Sequence, residues 1–149
     1  LAGRMVLVFS GASRLSAMAN WDMVKRTIDA DPRALAGLAS VAVIANEMRA
    51  ALIENDFDVV GALLDREWQA RKGLSDMVST PLIEKTIDAA RRAGALAGKA
   101  CGAGGGGCVV ILCKEGARAG VEQALRGLAA EGAQVLAARP TRVGLQLAG

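Results

Sequence analysis

Five of the six residues from Gly102 to Gly107 are glycine, with Ala103 as the exception, and the tract runs straight into an unbroken apolar hexapeptide, Cys108-Val-Val-Ile-Leu-Cys113. The two parts of this segment ask different things of a fold. The hexapeptide has no polar face, so it reads as a central strand buried on both sides. The glycines carry a heavy conformational-entropy cost on folding. A chain that keeps them beside its central strand uses backbone that must approach something closely. Without Cβ atoms, several N–H groups can converge on a phosphate or on a neighbouring loop. Two familiar phosphate loops are excluded by context. A Walker loop needs Gly-Lys-Ser/Thr at the start of a helix, and the dinucleotide fingerprint runs from strand to helix, whereas this tract is expected to run from a helix into a strand. A flexible turn is the plain structural alternative.

The rest of the composition bounds the fold around that segment. A chain of 149 residues is one domain's worth and buries roughly 68–70% of its unfolded surface, so it needs no disulfide or metal staple. With 52% hydrophobic and 22% charged residues, disorder is excluded. Thirty alanines against 3% aromatics point to helices packed closely through small side chains. The absence of histidine removes imidazole bases and His metal ligands. A net charge of +3 suits a small anionic substrate and falls short of a nucleic-acid-binding stripe. Cys101, Cys108 and Cys113 lack zinc or disulfide-framework spacing. Reduced thiols, with no signal peptide legible, suggest a cytoplasmic protein. The apolar stretch from Ala34 to Ala45 is expected to be a core helix and not a membrane span.

Along the chain, Met5–Phe9 reads as a strand ending in a turn at Ser10–Ser13, and Asn20–Asp31 as a helix. Leu35, Leu38, Val41, Ala45, Met48 and Leu52 recur at helical spacing. Asn55-Asp56 offers a stop and a fresh N-cap, followed by the stripe Phe57, Val60, Leu64 and Trp68 up to Gly73. Thr80-Pro81 fits N-cap and N1 of a further helix, expected to run to about Ala93–Ala97 with Leu82, Ile83, Ile87 and Ala90 inward. After the central strand, Val121, Leu125 and Leu128 define a helix closed by Gly132, and Gln134–Ala138 and Arg142–Leu147 read as strands. Few, separated strands among helices predict an α+β sandwich with an antiparallel sheet, one domain over residues 1–149.

The flanks of the glycine tract supply candidate binding side chains. Lys99 precedes the tract and could meet a phosphate. Ser13 and Arg14 end the first strand, where Arg14 could clamp an anion. Trp68 and Lys72 are four apart on one helix face, which predicts a core Trp68 with Lys72 at its rim. The thiols beside the tract read as small packing residues.

Gly98-Lys-Ala-Cys-Gly-Ala-Gly-Gly-Gly-Gly-Cys108 resembles the third conserved motif of the GHMP kinases, in the branch of heptose-phosphate kinases and fucokinase-like sugar kinases. Leu7-Val-Phe-Ser-Gly-Ala-Ser-Arg14, the Trp68–Lys72 pair ahead of Leu74-Ser75, and Ala93–Lys99 agree with that branch. Two positions depart from the family: Cys101 stands where Ser or Thr is usual, and Cys108 where an apolar aromatic is frequent.

The resemblance implies a ferredoxin-like two-layer C-terminal domain that closes an active-site cleft. It also implies that the ATP-binding N-terminal domain, with its Gly-Leu-Gly-Ser-Ser-type loop and Mg²⁺ ligands, is not part of this chain. The implied function is ATP-dependent phosphorylation of a sugar or sugar phosphate, with ATP and Mg²⁺ held mainly by the other domain and no catalytic or metal-ligating residue here. Gly102, Ala103, Gly104, Gly105, Gly106 and Gly107 would face the nucleotide; Ser13, Arg14, Lys72 and Lys99 would face the acceptor. The expected partners are that N-terminal domain and the small molecule, with neither nucleic acid nor membrane, and a homodimer is compatible. A stand-alone binding or regulatory module for an anionic metabolite is the alternative. The tract is expected to matter to activity more than to stability.

Overall fold

The computed structural model describes residues 1–11, 16–141 and 143–144. After a single 3₁₀ turn, β1 (Met5–Phe9) leads into four helices: α1 (Ser16–Ile28), α2 (Pro32–Glu54), α3 (Phe57–Lys72) and α4 (Pro81–Arg92). Then come β2 (Ala95–Ala100), β3 (Cys108–Cys113), α5 (Arg118–Arg126), a second 3₁₀ turn and β4 (Gln134–Leu136). The sheet order is β2-β3-β1-β4, with each neighbouring pair antiparallel. This is the ferredoxin-like arrangement expected, with a three-helix insertion ahead of α4. The helix starts follow local chemistry. Asp56 accepts from the Val59 N–H at 3.1 Å and Thr80 accepts from the Ile83 N–H at 3.2 Å, so two orphan amides are satisfied at their N-termini.

Strand alternation sorts the sheet into two faces. Val6, Val8, Ala100, Val109 and Ile111 lie beneath α4 and α5, packed on Ile83, Ile87, Ala90, Val121 and Leu125. On the other face Leu112 and Leu96 meet Ile44, Val60 and Leu63 of the α2–α3 pair. Lys99 pairs with Val110, and Val110 with Leu7, so all three share this second face.

Three expectations are corrected. The helix from Thr80 stops at Arg92 instead of reaching Ala93–Ala97, because Gly94 turns the chain at φ +106° and the next six residues pair with β3. Ala-Leu-Ala-Gly-Lys-Ala has helix-favouring composition, yet its small side chains are what the sheet needs. A Cβ on Gly98 would stand 2.4 Å from Ile111 Cδ1. The glycine tract consequently joins two strands, not a helix and a strand. Second, α2 forms over the expected span but buries Ala34, Ile44 and Ala51 in place of the leucine stripe. Leu35, Leu38 and Leu52 remain exposed, because α3 packs through Val60 and Leu63 on the face of α2 that carries Ile44, Met48 and Ala51. By length and composition α2 could cross a membrane, and little of it is buried, so it is not the core helix expected; Glu47 ties it to Arg66 of α3 at 2.8 Å. Third, β4 ends at Leu136. Of the strand expected at Arg142–Leu147, residue 142 and residues 145–147 lie outside the described residues, and Val143-Gly144 is not in a strand.

Candidate functional site

The glycine tract is the loop of the β2–β3 hairpin, and three backbone bonds anchor it. Cys101 N–H donates to Cys108 O at 2.8 Å at its base, Ser10 N–H donates to Gly107 O at 2.8 Å from the end of β1, and Gly105 N–H donates to Val78 O at 2.6 Å. Gly102, Gly104, Gly105, Gly106 and Gly107 all have positive φ, from +66° to +151°, a region L side chains rarely enter. Gly104, Gly105 and Gly106 are buried. A Cβ on Gly104 would stand 2.2 Å from Val78 O. The tract is therefore a packing element as well as a candidate ligand loop. Among the described residues the amides of Gly102, Ala103, Gly104, Gly106 and Gly107 donate to no backbone carbonyl. Unengaged backbone N–H groups are the donor chemistry that an oxyanion accepts from. Beside it, the buried Ser10 hydroxyl has no partner among the described residues.

The segment under the loop is braced in turn. Val78 N–H donates to Ser75 O, and Met77 N–H to Ser75 Oγ. The nearby Ser75 hydroxyl, short of a full hydrogen bond, and Arg26 one turn along hold the Asp22 carboxyl below its ordinary value. The glycine loop is thus linked through Val78 to Ser75, whose hydroxyl lies near Asp22 of α1.

Two of the sequence-derived binding residues come to the end of α3, and both are engaged. Lys72 Nζ lies 3.1 Å from Glu84 Oε2 and 5.7 Å from the Trp68 ring centroid. Trp68 itself is 1% exposed, so the core-and-rim arrangement is as read. Lys99 stands on β2, not at a helix end, and its ammonium pairs with Glu67. Glu67 also takes Arg71 at 2.6 Å. Burial raises the Glu67 pKa, but the hydrogen bonds and charges of Lys99 and Arg71 together outweigh it and hold the carboxyl below its ordinary value. Glu84 behaves likewise: burial opposes ionisation, and Ser79, Lys72 and the nearby Trp68 indole N–H, itself short of a full hydrogen bond, overcome it. Ser13 and Arg14 lie outside the described residues.

Glu67, Arg71 and Glu84 were missed by sequence reasoning. The Glu67–Arg71 spacing was a visible signal for an i,i+4 pair; nothing local links Glu67 to Lys99. The resulting chemistry is that of a binding surface. Lys99, Arg71 and Glu67 form a half-buried cluster with one excess positive charge. No three His, Cys, Asp or Glu side chains converge to hold a metal among the described residues, so these residues do not fit a Mg²⁺ cage, whereas the loop amides do fit a phosphate oxygen.

Known proteins resemble this chain in sequence and in fold. Residues 48–131 match the family model described as GHMP kinases C terminal. Over 126 residues the chain is 28% identical to D-glycero-alpha-D-manno-heptose 7-phosphate kinase of Campylobacter jejuni, covering 85% of this chain and 37% of that protein. It is 27% identical over 119 residues to the bifunctional fucokinase/GDP-fucose pyrophosphorylase of Arabidopsis thaliana, covering 80% of this chain and 11% of that one. The fold superimposes on L. major mevalonate kinase with a TM-score of 0.78 at 22% identity, over 88% of this chain and 40% of the kinase. The chain thus spans well under half the length of these relatives. The glycine loop, the ferredoxin-like sheet order and the family match converge, and the chain belongs to the C-terminal domain family of the GHMP kinases, related to sugar kinases.

Proposed function

We propose that this chain is the C-terminal half of an ATP-dependent sugar kinase whose acceptor is a phosphorylated heptose or a similar sugar phosphate. The observation that carries the reading is the glycine loop, a row of unengaged amides fixed beside the central strand. In this reading the loop amides present N–H groups to a phosphate oxygen of ATP. Phosphoryl transfer is served largely by positioning and by preorganised donors aimed at developing charge. Mg²⁺ and the rest of the triphosphate site belong with residues outside this chain, which holds no three-residue cage for them among its described residues. The cations Lys72 and Lys99, held by Glu84 and Glu67, flank the acceptor and bind its existing phosphate by partner exchange. The exposed apolar residues of α1 and α2 are the surface on which the remainder of the enzyme rests. The 149-residue chain by itself turns over no ATP.

The test is steady-state kinetics of the full-length enzyme with ATP and a panel of sugars and sugar phosphates. A Cβ on Gly102 meets nothing within 4 Å, although its φ of +66° is one that alanine adopts only with strain, so Gly102→Ala perturbs the loop backbone and its ligand contact without a packing clash. It should raise the KM for ATP about tenfold, the equivalent of one weakened hydrogen bond of about 1.4 kcal/mol. Lys72→Ala should raise the KM for the sugar phosphate roughly 10- to 150-fold, as for a charge-assisted contact of about 1.5–3 kcal/mol, and leave the KM for ATP unchanged. Turnover by the 149-residue chain alone, or normal kinetics in both variants, would overturn the assignment.

A further inference from the structure

The two cysteines that depart from the family pattern face each other across the base of the glycine loop. The β2–β3 ladder pairs Ala100 with Val109, and one step further Cys101 N–H donates to Cys108 O at 2.8 Å. Directly opposed residues in an antiparallel ladder project to the same face. The bond from the Cys101 N–H is one of the two of a hydrogen-bonded pair, whose Cα atoms stand about 5.5 Å apart, within the roughly 4.4–6.8 Å that a disulfide spans. Cys101 is exposed and Cys108 half-buried, both as free thiols, whereas Cys113 is buried. Cys113 lies five residues along β3 from Cys108 and so projects to the opposite face.

We propose that Cys101 and Cys108 form a reversible disulfide that staples the base of the glycine loop. The oxidant is a low-molecular-weight disulfide such as glutathione disulfide. The Cys101 thiolate, the more exposed, attacks one sulfur of the oxidant and releases the first small thiol. Cys108 then attacks the Cys101 sulfur of the mixed disulfide and releases the second. Two protein thiols lose their hydrogens, the oxidant gains them as two thiols, and atoms and electrons balance. Opposed Cβ atoms start about 4.5–5.5 Å apart, and a disulfide draws them to about 3.8 Å. The staple therefore forms under strain, which makes it easily reduced. Burial, with the adjacent Cys108, holds the Cys101 thiol above its ordinary value against the opposing pull of Lys99. Exchange is accordingly slow near neutrality and accelerates as the pH rises. Burial pushes Cys113 up to about 11, and it takes no part.

Drawing the loop ends together re-aims the amides between them. That consequence rests on the proposed nucleotide role; the disulfide itself does not. The test is chemical and independent of kinase activity. The protein is incubated to completion with glutathione disulfide at about pH 9, where more of the thiol is ionised, then analysed by intact mass, thiol titration and peptide mapping. The expected result is a monomer lighter by two hydrogens, a fall in free thiols from three to one, a Cys101–Cys108 linked peptide, and full reversal by dithiothreitol. Cys113→Ala should cyclise at the same rate, and Cys108→Ser should stall with glutathione retained on Cys101. A persistent mixed disulfide in the unmutated protein, a dimer cross-linked through Cys101, or retention of all three thiols would each overturn the proposal.

Discussion

The layer under α4 and α5 and the layer made by α1 and α2 are built from similar residues and end in opposite states. Beneath α4 and α5, Val8, Ile83, Val109, Val121 and Leu125 are all 0% exposed. On α1 and α2, Trp21 is 65% exposed and Ile28 73%, and Met23, Val24, Leu38 and Val41 line an open groove floored by Leu74 and the stem of Arg71. The first layer is closed by side chains within the chain. The second presents a contiguous apolar surface of the sort that marks an interaction face. The glycine loop is joined through β3 to the closed layer, and through Val78 to Ser75, which lies beside α1.

The largest expected effect attacks the junction. Gly104→Val forces a β-branched residue into φ +80° with its Cβ 2.2 Å from a backbone oxygen, combining backbone strain with overpacking. A loss of about 4 kcal/mol is expected, measured by denaturant unfolding. A near-normal midpoint would show that the loop and Val78 are free to separate. Next comes the contrast between layers. Ile83→Ala should cost about 2–5 kcal/mol through an unfilled cavity, whereas Ile28→Ala should lie within about 0.5 kcal/mol. Equal costs would erase the distinction.

The smallest effect concerns the charged cluster between the layers. Glu67→Gln removes the carboxylate shared by Lys99 and Arg71, with a cost of about 1–3 kcal/mol at neutral pH. Its pH dependence follows from the direction of the shift. The folded-state pKa lies below the ordinary 4.5, so this stabilisation is complete above that value and is lost as the pH falls through the lower, folded pKa. Acid titration of stability should be shallower below about pH 4.5 in the Gln variant. Parallel curves for both proteins would remove Glu67 from the acid response.

Features fixed by neighbours in sequence were legible from it. Met5–Phe9 and Cys108–Cys113 have the apolar patterns of strands and form over those bounds. Asp56 and Thr80 cap helices because capping needs only the next turn. The glycine tract announced itself as a site of close backbone approach because no side-chain argument explains so many glycines in one place.

Tertiary structure decided the rest. Ala95–Ala100 has the local propensity of a helix and becomes a strand because β3 supplies hydrogen-bond partners and requires Gly98 to be bare beside Ile111. Which face of α2 is buried depends on α3, whose Val60 and Leu63 pack with Ile44 and Ala51 and leave the leucine stripe outside. Lys99 finds its carboxylate 32 positions away, a pairing no local periodicity encodes. The sequence alone determined the strands Met5–Phe9 and Cys108–Cys113, the caps and a bare backbone loop, since those follow from the chemistry of adjacent residues. Only the fold determined which charges pair, which apolar stripe is left uncovered, and that two cysteines at the ends of the glycine tract stand face to face, since those depend on the distance between residues remote along the chain.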